Sequence, residues 1–203
     1  MAGTFEPTGD GGAAIALDEV EISILRSLVV QLMELIGPGE GPADGGAEED
    51  PLAALFVDGP SEPPSDPALA RLFPDAYGAG PDAKPDEDDE EARSASAEFR
   101  RFTENDLRAR KREDGLAVVR ALDAVMPVGD EGAVLRLSAA DSRQWLGALN
   151  DLRLAIGTRL EVTDEDDGSA LYTLPDSDPR KPMVMAYLWL GGLQETLVGT
   201  LLS

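Results

Sequence analysis

One break in composition constrains this chain more than any other feature. Between Pro38 and Pro85 there are ten prolines, and Asp86 to Glu91 is an unbroken acidic run. A stretch of this kind buries too little apolar surface to offset the entropy of ordering it. Any fold must therefore be assembled from what lies on either side. Residues 38–49 and 78–95 read as disordered, acidic, Pro/Gly-rich insert segments within a single helical domain spanning residues 1–203. Two islands inside the insert differ. Residues 51–57 carry Leu52, Leu55 and Phe56. Residues 66–73 open with Asp66 as a cap and Pro67 at the first helical position, then show Leu69, Leu72 and Phe73 before Pro74. Both read as short helices docked on a core.

The flanking segments carry helical periodicity. Leu17 to Ile36 reads as a helix. Asp18 caps it, Glu21 completes a capping box, and Leu17, Ile24, Leu25, Leu28, Leu32, Leu35 and Ile36 form the apolar stripe. Gly37 and Pro38 stop it. Thr103 reads as the cap of a second long helix running to about Met126. Phe102 and Leu107 form its hydrophobic staple, and Gly115 inside it implies a packing or bending reason, since glycine costs about 1 kcal/mol there. Ser138, with Asp141 three residues on, caps a further helix whose face carries Trp145, Leu149, Leu152, Ile156 and Leu160. Asp178 and Pro179 open the last. Val134 to Leu137 has the character of a short strand, but no partner is evident. The expected class is all-α, an orthogonal or bundled helical domain.

Met183 to Leu202 is long enough to span a bilayer, which takes about 20 residues. Gln194 and Glu195 sit at its middle, where an acidic group costs about 2.5–3.5 kcal/mol. With Leu190, Leu193, Leu197 and Leu201 on one face, a helix buried in a bundle accounts for it better. No signal peptide is read at the N-terminus.

Composition narrows the chemistry. The chain has no histidine and no cysteine, so the commonest general base, the commonest transition-metal ligand and any thiol chemistry are absent. The formal net charge of −23 repels phosphate and anionic membrane. Arginine outnumbers lysine by 14 to 3, which fits the coding bias of a GC-rich genome; a halophilic origin would also produce the acidity. Asp164, Asp166, Asp167 and Gly168 fail the register of a calcium-binding loop. No phosphate-binding loop, dinucleotide fingerprint, zinc spacing or nucleophile elbow is found. No cofactor or metal is expected.

Two charged groupings are candidates for function. Arg100, Arg101 and Arg108, with Arg110, Lys111 and Arg112, form the only basic patch, with Phe99 and Phe102 between them. Arginine with aromatics can stack single-stranded nucleic acid, but acidic residues are interspersed. The patch is therefore assigned as a partner-binding face, a solvated face or a dock for the acidic Asp86–Glu91 run, with the two phenylalanines in the core. Arg153 and Arg159 flank the apolar face of the fourth long helix. They are assigned a structural ion pair with Glu195, Gln194 being the other candidate partner, because buried charges need partners; an anion or carboxylate site is the functional alternative.

Three blocks together resemble an actinobacterial family, domain of unknown function 2017. They are Asp66–Tyr77 (D-P-A-L-A-R-L-F-P-D-A-Y), Glu98–Arg108 (E-F-R-R-F-T-E-N-D-L-R) and Trp145–Leu160 (W-L-G-A-L-N-D-L-R-L-A-I-G-T-R-L). Leu190–Val198 (L-G-G-L-Q-E-T-L-V) adds a fourth. Some members are described as oxidative-stress regulators. The resemblance implies a cytoplasmic, non-enzymatic regulator acting by protein contact, with a stress sigma factor as the candidate partner. The thiol switch proposed for some members does not carry over, since this chain has no cysteine. Alternatives are a homodimeric structural or scaffold protein, and an enzyme relying on carboxylates or a recruited metal. Direct nucleic-acid binding and membrane insertion are not expected; a homodimer stays open as an alternative.

Overall fold

A computed structural model describes residues 3–38, 58–77, 89–125, 132–162 and 174–202. Where the sequence reads as a single domain, the chain divides into two compact units. The first comprises Met1–Leu35 with Lys111–Ser203, and the second is Ile36–Arg110. The described residues form five helices and one small sheet, so the fold is mostly helical, as expected. The island at 51–57, the acidic residues Asp164, Asp166 and Asp167, and most of the expected insert segments, namely 39–49 and 78–88, lie outside the described residues.

The first unit contains a small sheet, of which the sequence showed one strand, Val134–Leu137, and not its partners. Strands β1 (Glu6–Pro7), β2 (Ala13–Leu17) and β3 (Ala133–Leu137) pair antiparallel in that order. The β2–β3 register sets Ala13 opposite Leu137, Ile15 opposite Leu135 and Leu17 opposite Ala133. All six of these residues are buried, while Arg136 and Val134 point outward. This is the alternation of a sheet with one face on the core. Leu17, read from sequence as the first residue of a helical stripe, instead closes β2.

Helix α1 spans Glu19–Ile36. Its capping box is formed as expected: the Glu21 amide donates to Asp18 Oδ1 (2.8 Å), and the Asp18 amide donates to Glu21 Oε2 (3.0 Å). Leu25, Val29, Leu32 and Ile36 are buried, whereas Ile24, expected in the stripe, is exposed. Gly37 follows with φ 67°, the left-handed conformation that ends a helix.

Helix α2 is Pro67–Leu72, and Asp66 caps it through Oδ1 to the amides of Ala68 and Leu69. Helix α3 runs from Asp89 to Ala124, beginning well before Thr103. Residues 89–95, assigned to the insert, are therefore helical. Thr103 is not a cap; its hydroxyl donates to the Phe99 carbonyl one turn back (2.8 Å). The reason for Gly115 is packing: a Cβ there would lie 2.9 Å from Met33 Cγ on α1.

Helix α4 is Ala139–Arg159, with the expected Ser138–Asp141 capping box. Helix α5 is Lys181–Leu201, starting slightly after the expected Asp178. Trp145, Leu149 and Leu152 of α4 are buried with Leu190, Leu193 and Leu197 of α5. The Phe5 ring meets Trp145 edge-on at 6.1 Å, and the Phe5 amide donates to Thr196 Oγ1 (3.2 Å). The N-terminal strand is thus tied to the α4–α5 pair. No described helix is long and apolar enough to cross a membrane.

Candidate functional site

In the second unit, the start of the expected basic patch folds inward. Arg100 Nη1 donates to Glu104 Oε2 (2.5 Å), and Nη2 donates to the Phe73 carbonyl (3.0 Å) and Asp75 Oδ1 (2.8 Å). Arg108 grips the other Glu104 oxygen through Nε (2.9 Å) and Nη2 (2.6 Å). Its Nη1 donates to the Ile36 carbonyl, and its guanidinium lies 4.5 Å above the Phe73 ring. Burial works to lower the Arg100 pKa, but the bonds to Asp75 and Glu104 outweigh it, so the group stays charged. The cluster matches two cations with two carboxylates around the C-terminus of α2. That is what makes burial of its charges tolerable.

The expectation that Arg100, Arg101 and Arg108 form a partner-binding face is corrected by this geometry. The Arg100 side chain is 4% exposed and that of Arg108 is 12% exposed, whereas that of Arg101 is 44% exposed. Further along α3, Lys111 donates to Asp151 Oδ1 (2.7 Å) and Arg112 to the Met33 carbonyl (2.7 Å), both within the first unit. Burial raises the Asp151 carboxyl pKa against the opposing pull of Lys111.

The aromatics go the other way. Phe99 and Phe102 were expected in the core as part of a staple, yet they are 44% and 60% exposed. The staple required a helix starting at Thr103. With α3 already helical there, Phe102 falls on its outer face. Tyr77, 54% exposed, meets Phe99 edge-on at 6.0 Å. It is held by Ser96, whose hydroxyl donates to the Tyr77 carbonyl (2.9 Å) and accepts from its amide (3.0 Å). Arg101 lies 4.8 Å over the Phe102 ring and 3.6 Å from Asp58. Tyr77, Phe99, Phe102 and Arg101 thus form an exposed aromatic surface. Sequence reasoning named three of them but placed the two phenylalanines inside.

The first unit contains an open cleft of about 490 Å³ lined by Arg153 of α4 and by Tyr187, Gly191, Gln194 and Glu195 of α5, among others. Arg153 Nη1 donates to Gln194 Oε1 (2.5 Å), and the guanidinium lies 5.2 Å from the Tyr187 ring. A Cβ on Gly191 would sit 3.6 Å from Arg153 Nε, and that Nε is buried without a hydrogen-bond partner. The expected ion pair of Glu195 with Arg153 or Arg159 is not formed. Glu195 is exposed, Arg153 takes Gln194, the other candidate partner, and Arg159 lies exposed in the last turn of α4. One residue along a helix is about 100° of rotation, which carries Gln194 towards α4 and Glu195 away from it.

Among the described residues no group of three or more acidic side chains is placed to hold a metal ion. What these surfaces can do chemically is bind: an aromatic patch in one unit, an arginine-lined cleft in the other.

The sequence matches the family described as domain of unknown function (DUF2017) over residues 2–201. It is 32% identical over 188 residues to a Mycobacterium tuberculosis protein named oxidative stress regulator AosR, covering 90% of this chain and 79% of the relative. A Mycobacterium leprae protein named putative oxidative stress regulator AosR is also 32% identical, over 186 residues, with the same coverage of each chain. No solved structure matches the chain. With both the full-length match and relatives at this identity, the chain belongs to the DUF2017 family.

Proposed function

We propose that this protein is a stress-linked regulator that acts in the cytoplasm by binding another protein and performs no catalysis. The mycobacterial relatives named as oxidative stress regulators support the stress-linked part. The observation that carries the protein-binding part is the exposed surface of Tyr77, Phe99, Phe102 and Arg101. Large aromatics and arginine dominate the energetics of protein interfaces, and a cluster of them left open to solvent is a docking surface in search of its partner. The net charge of −23 argues for a protein partner over nucleic acid. A stress sigma factor is the candidate that the family resemblance suggests. Because this chain has no cysteine, its response to stress does not run through a disulfide of its own.

The test is binding and complementation with one variant. Wild type and Phe99→Ser/Phe102→Ser are compared for capture of candidate sigma factors, and for restoring peroxide resistance to a strain lacking the gene. Loss of both by the variant, with an unchanged melting temperature, supports the proposal. Full rescue by the variant would refute the assigned surface. Unaltered stress resistance in the deletion strain would refute the regulatory role.

A further inference from the structure

The outer face of α5, with its C-cap Leu202, carries Met185, Leu188, Gly192, Glu195, Gly199 and Leu202, spaced alternately three and four residues apart. This is the seam spacing of two helices packed along each other. Met185 is 56% and Leu202 is 83% exposed, and a Cβ added at Gly192 or Gly199 would meet nothing within 4 Å. The opposite face, with Leu190, Leu193 and Leu197, is fully used by the core. The seam is therefore a second packing face that nothing in the described structure covers.

An independent observation says what covers it. Arg153 and Glu195 line the same cleft at the edge of this seam, yet they do not pair with each other. Arg153 has a neutral amide as its hydrogen-bond partner and a buried Nε with none. Glu195 makes no ion pair among the described residues. In a two-fold symmetric contact the same patch faces itself, so a residue of one copy meets a different residue of the other, reciprocally. A face bearing one uncompensated cation and one uncompensated anion is complementary to itself under that operation.

We propose that α5 is a homodimer interface. The seam packs against the same seam of a second copy, glycines at 192 and 199 let the helices approach closely, and Arg153 of each copy pairs with Glu195 of the other. The two reciprocal pairs fix the register, and the apolar ends of the seam are covered.

The experiment is sedimentation of the full chain over a concentration series, with circular dichroism to verify folding. The wild type is expected to be a dimer. Glu195→Arg sets Arg against Arg, and Arg153→Glu sets Glu against Glu. Each should raise the dimer dissociation constant by at least about tenfold. Mixing the two variants restores both opposite-charge pairs, since one copy then supplies only acids and the other only arginines, and the mixture should associate although neither component does. Because Glu195 is exposed, Glu195→Arg retains its fold even if Arg153→Glu does not. A monomeric wild type, or a dimer that Glu195→Arg leaves intact, would overturn the proposal. Two folded single variants that fail to associate on mixing would overturn it as well.

Discussion

Arg100 and Glu104 face each other one turn apart on α3, joined at 2.5 Å with side chains only 4% and 2% exposed. On an exposed helix such a pair contributes about 0.3–0.5 kcal/mol. Here Glu104 also satisfies Arg108, so removing its charge takes a carboxylate from two guanidiniums at once and leaves Asp75 alone to balance them. Glu104→Gln is therefore expected to cost about 3–5 kcal/mol, read by urea denaturation. A loss under about 1 kcal/mol would mean that water reaches the cluster. The loss should also vary little with salt, because buried pairs are weakly screened.

Local chemistry was legible in the sequence, and long-range chemistry was not. The two capping boxes and the Asp66–Pro67 helix start depend on residues three apart or fewer, and they formed as read. The sheet depends on Ala13–Leu17 meeting Ala133–Leu137, and neither segment names the other. The alanines of β2 have weak strand propensity, so Leu17 was absorbed into the helical stripe that follows.

The start of α3 was missed for a different reason. The acidic run reads as insert, yet Glu, Ala and Arg are good helix formers, and carboxylates at a helix N-terminus are favoured by its dipole. Once α3 begins at Asp89, the rotation of every later residue is set. Arg100 turns inward beneath Phe73 and Asp75, while Phe102 turns outward. The contact of Arg153 with α5 was legible, with Gln194 among its candidate partners; which of Gln194 and Glu195 faces α4 depends on the rotation of α5 and was not.

The Ser138–Asp141 box offers a test of local structure by itself. The Asp141 amide donates to Ser138 Oγ at 3.2 Å, and the Ser138 amide donates to Asp141 Oδ2 at 3.2 Å. Ser138→Ala should cost about 1 kcal/mol, and Ser138→Gly only a few tenths. Equal losses for the two would show that the cap hydrogen bond is not what stabilises the start of α4.

The exposed aromatics should behave unlike core residues. A buried Phe→Ala change costs about 3–5 kcal/mol. Phe102→Ala, which loses its contact with Arg101 and little else, should cost less than about 1 kcal/mol. A melt and a urea titration suffice. A core-sized loss would place Phe102 in a packed environment and remove the aromatic surface from consideration as a docking site.

Asp151 and Lys111 make the last prediction one of pH. The two are 2.7 Å apart, and the Asp151 side chain is 5% exposed. Burial raises its carboxyl pKa above 3.8 although Lys111 pulls the other way. The folded chain therefore holds this proton more tightly than the unfolded chain. The group's contribution to stability is fully present below 3.8 and is lost as pH rises through the raised folded value. At neutral pH the ionised carboxylate is a net cost, so Asp151→Asn should match or exceed the wild type in melting temperature, and the two should converge on acidification. Lys111→Met does the opposite. It leaves Asp151 buried without its cation, which should cost about 3–5 kcal/mol at neutral pH and be recovered in part as acid protonates the carboxyl. Melts of both variants down through the carboxylate range decide between desolvation and pairing. If Asp151→Asn loses as much as Lys111→Met at neutral pH, attraction between the pair outweighs the burial of the acid, and folding lowers the Asp151 pKa instead of raising it.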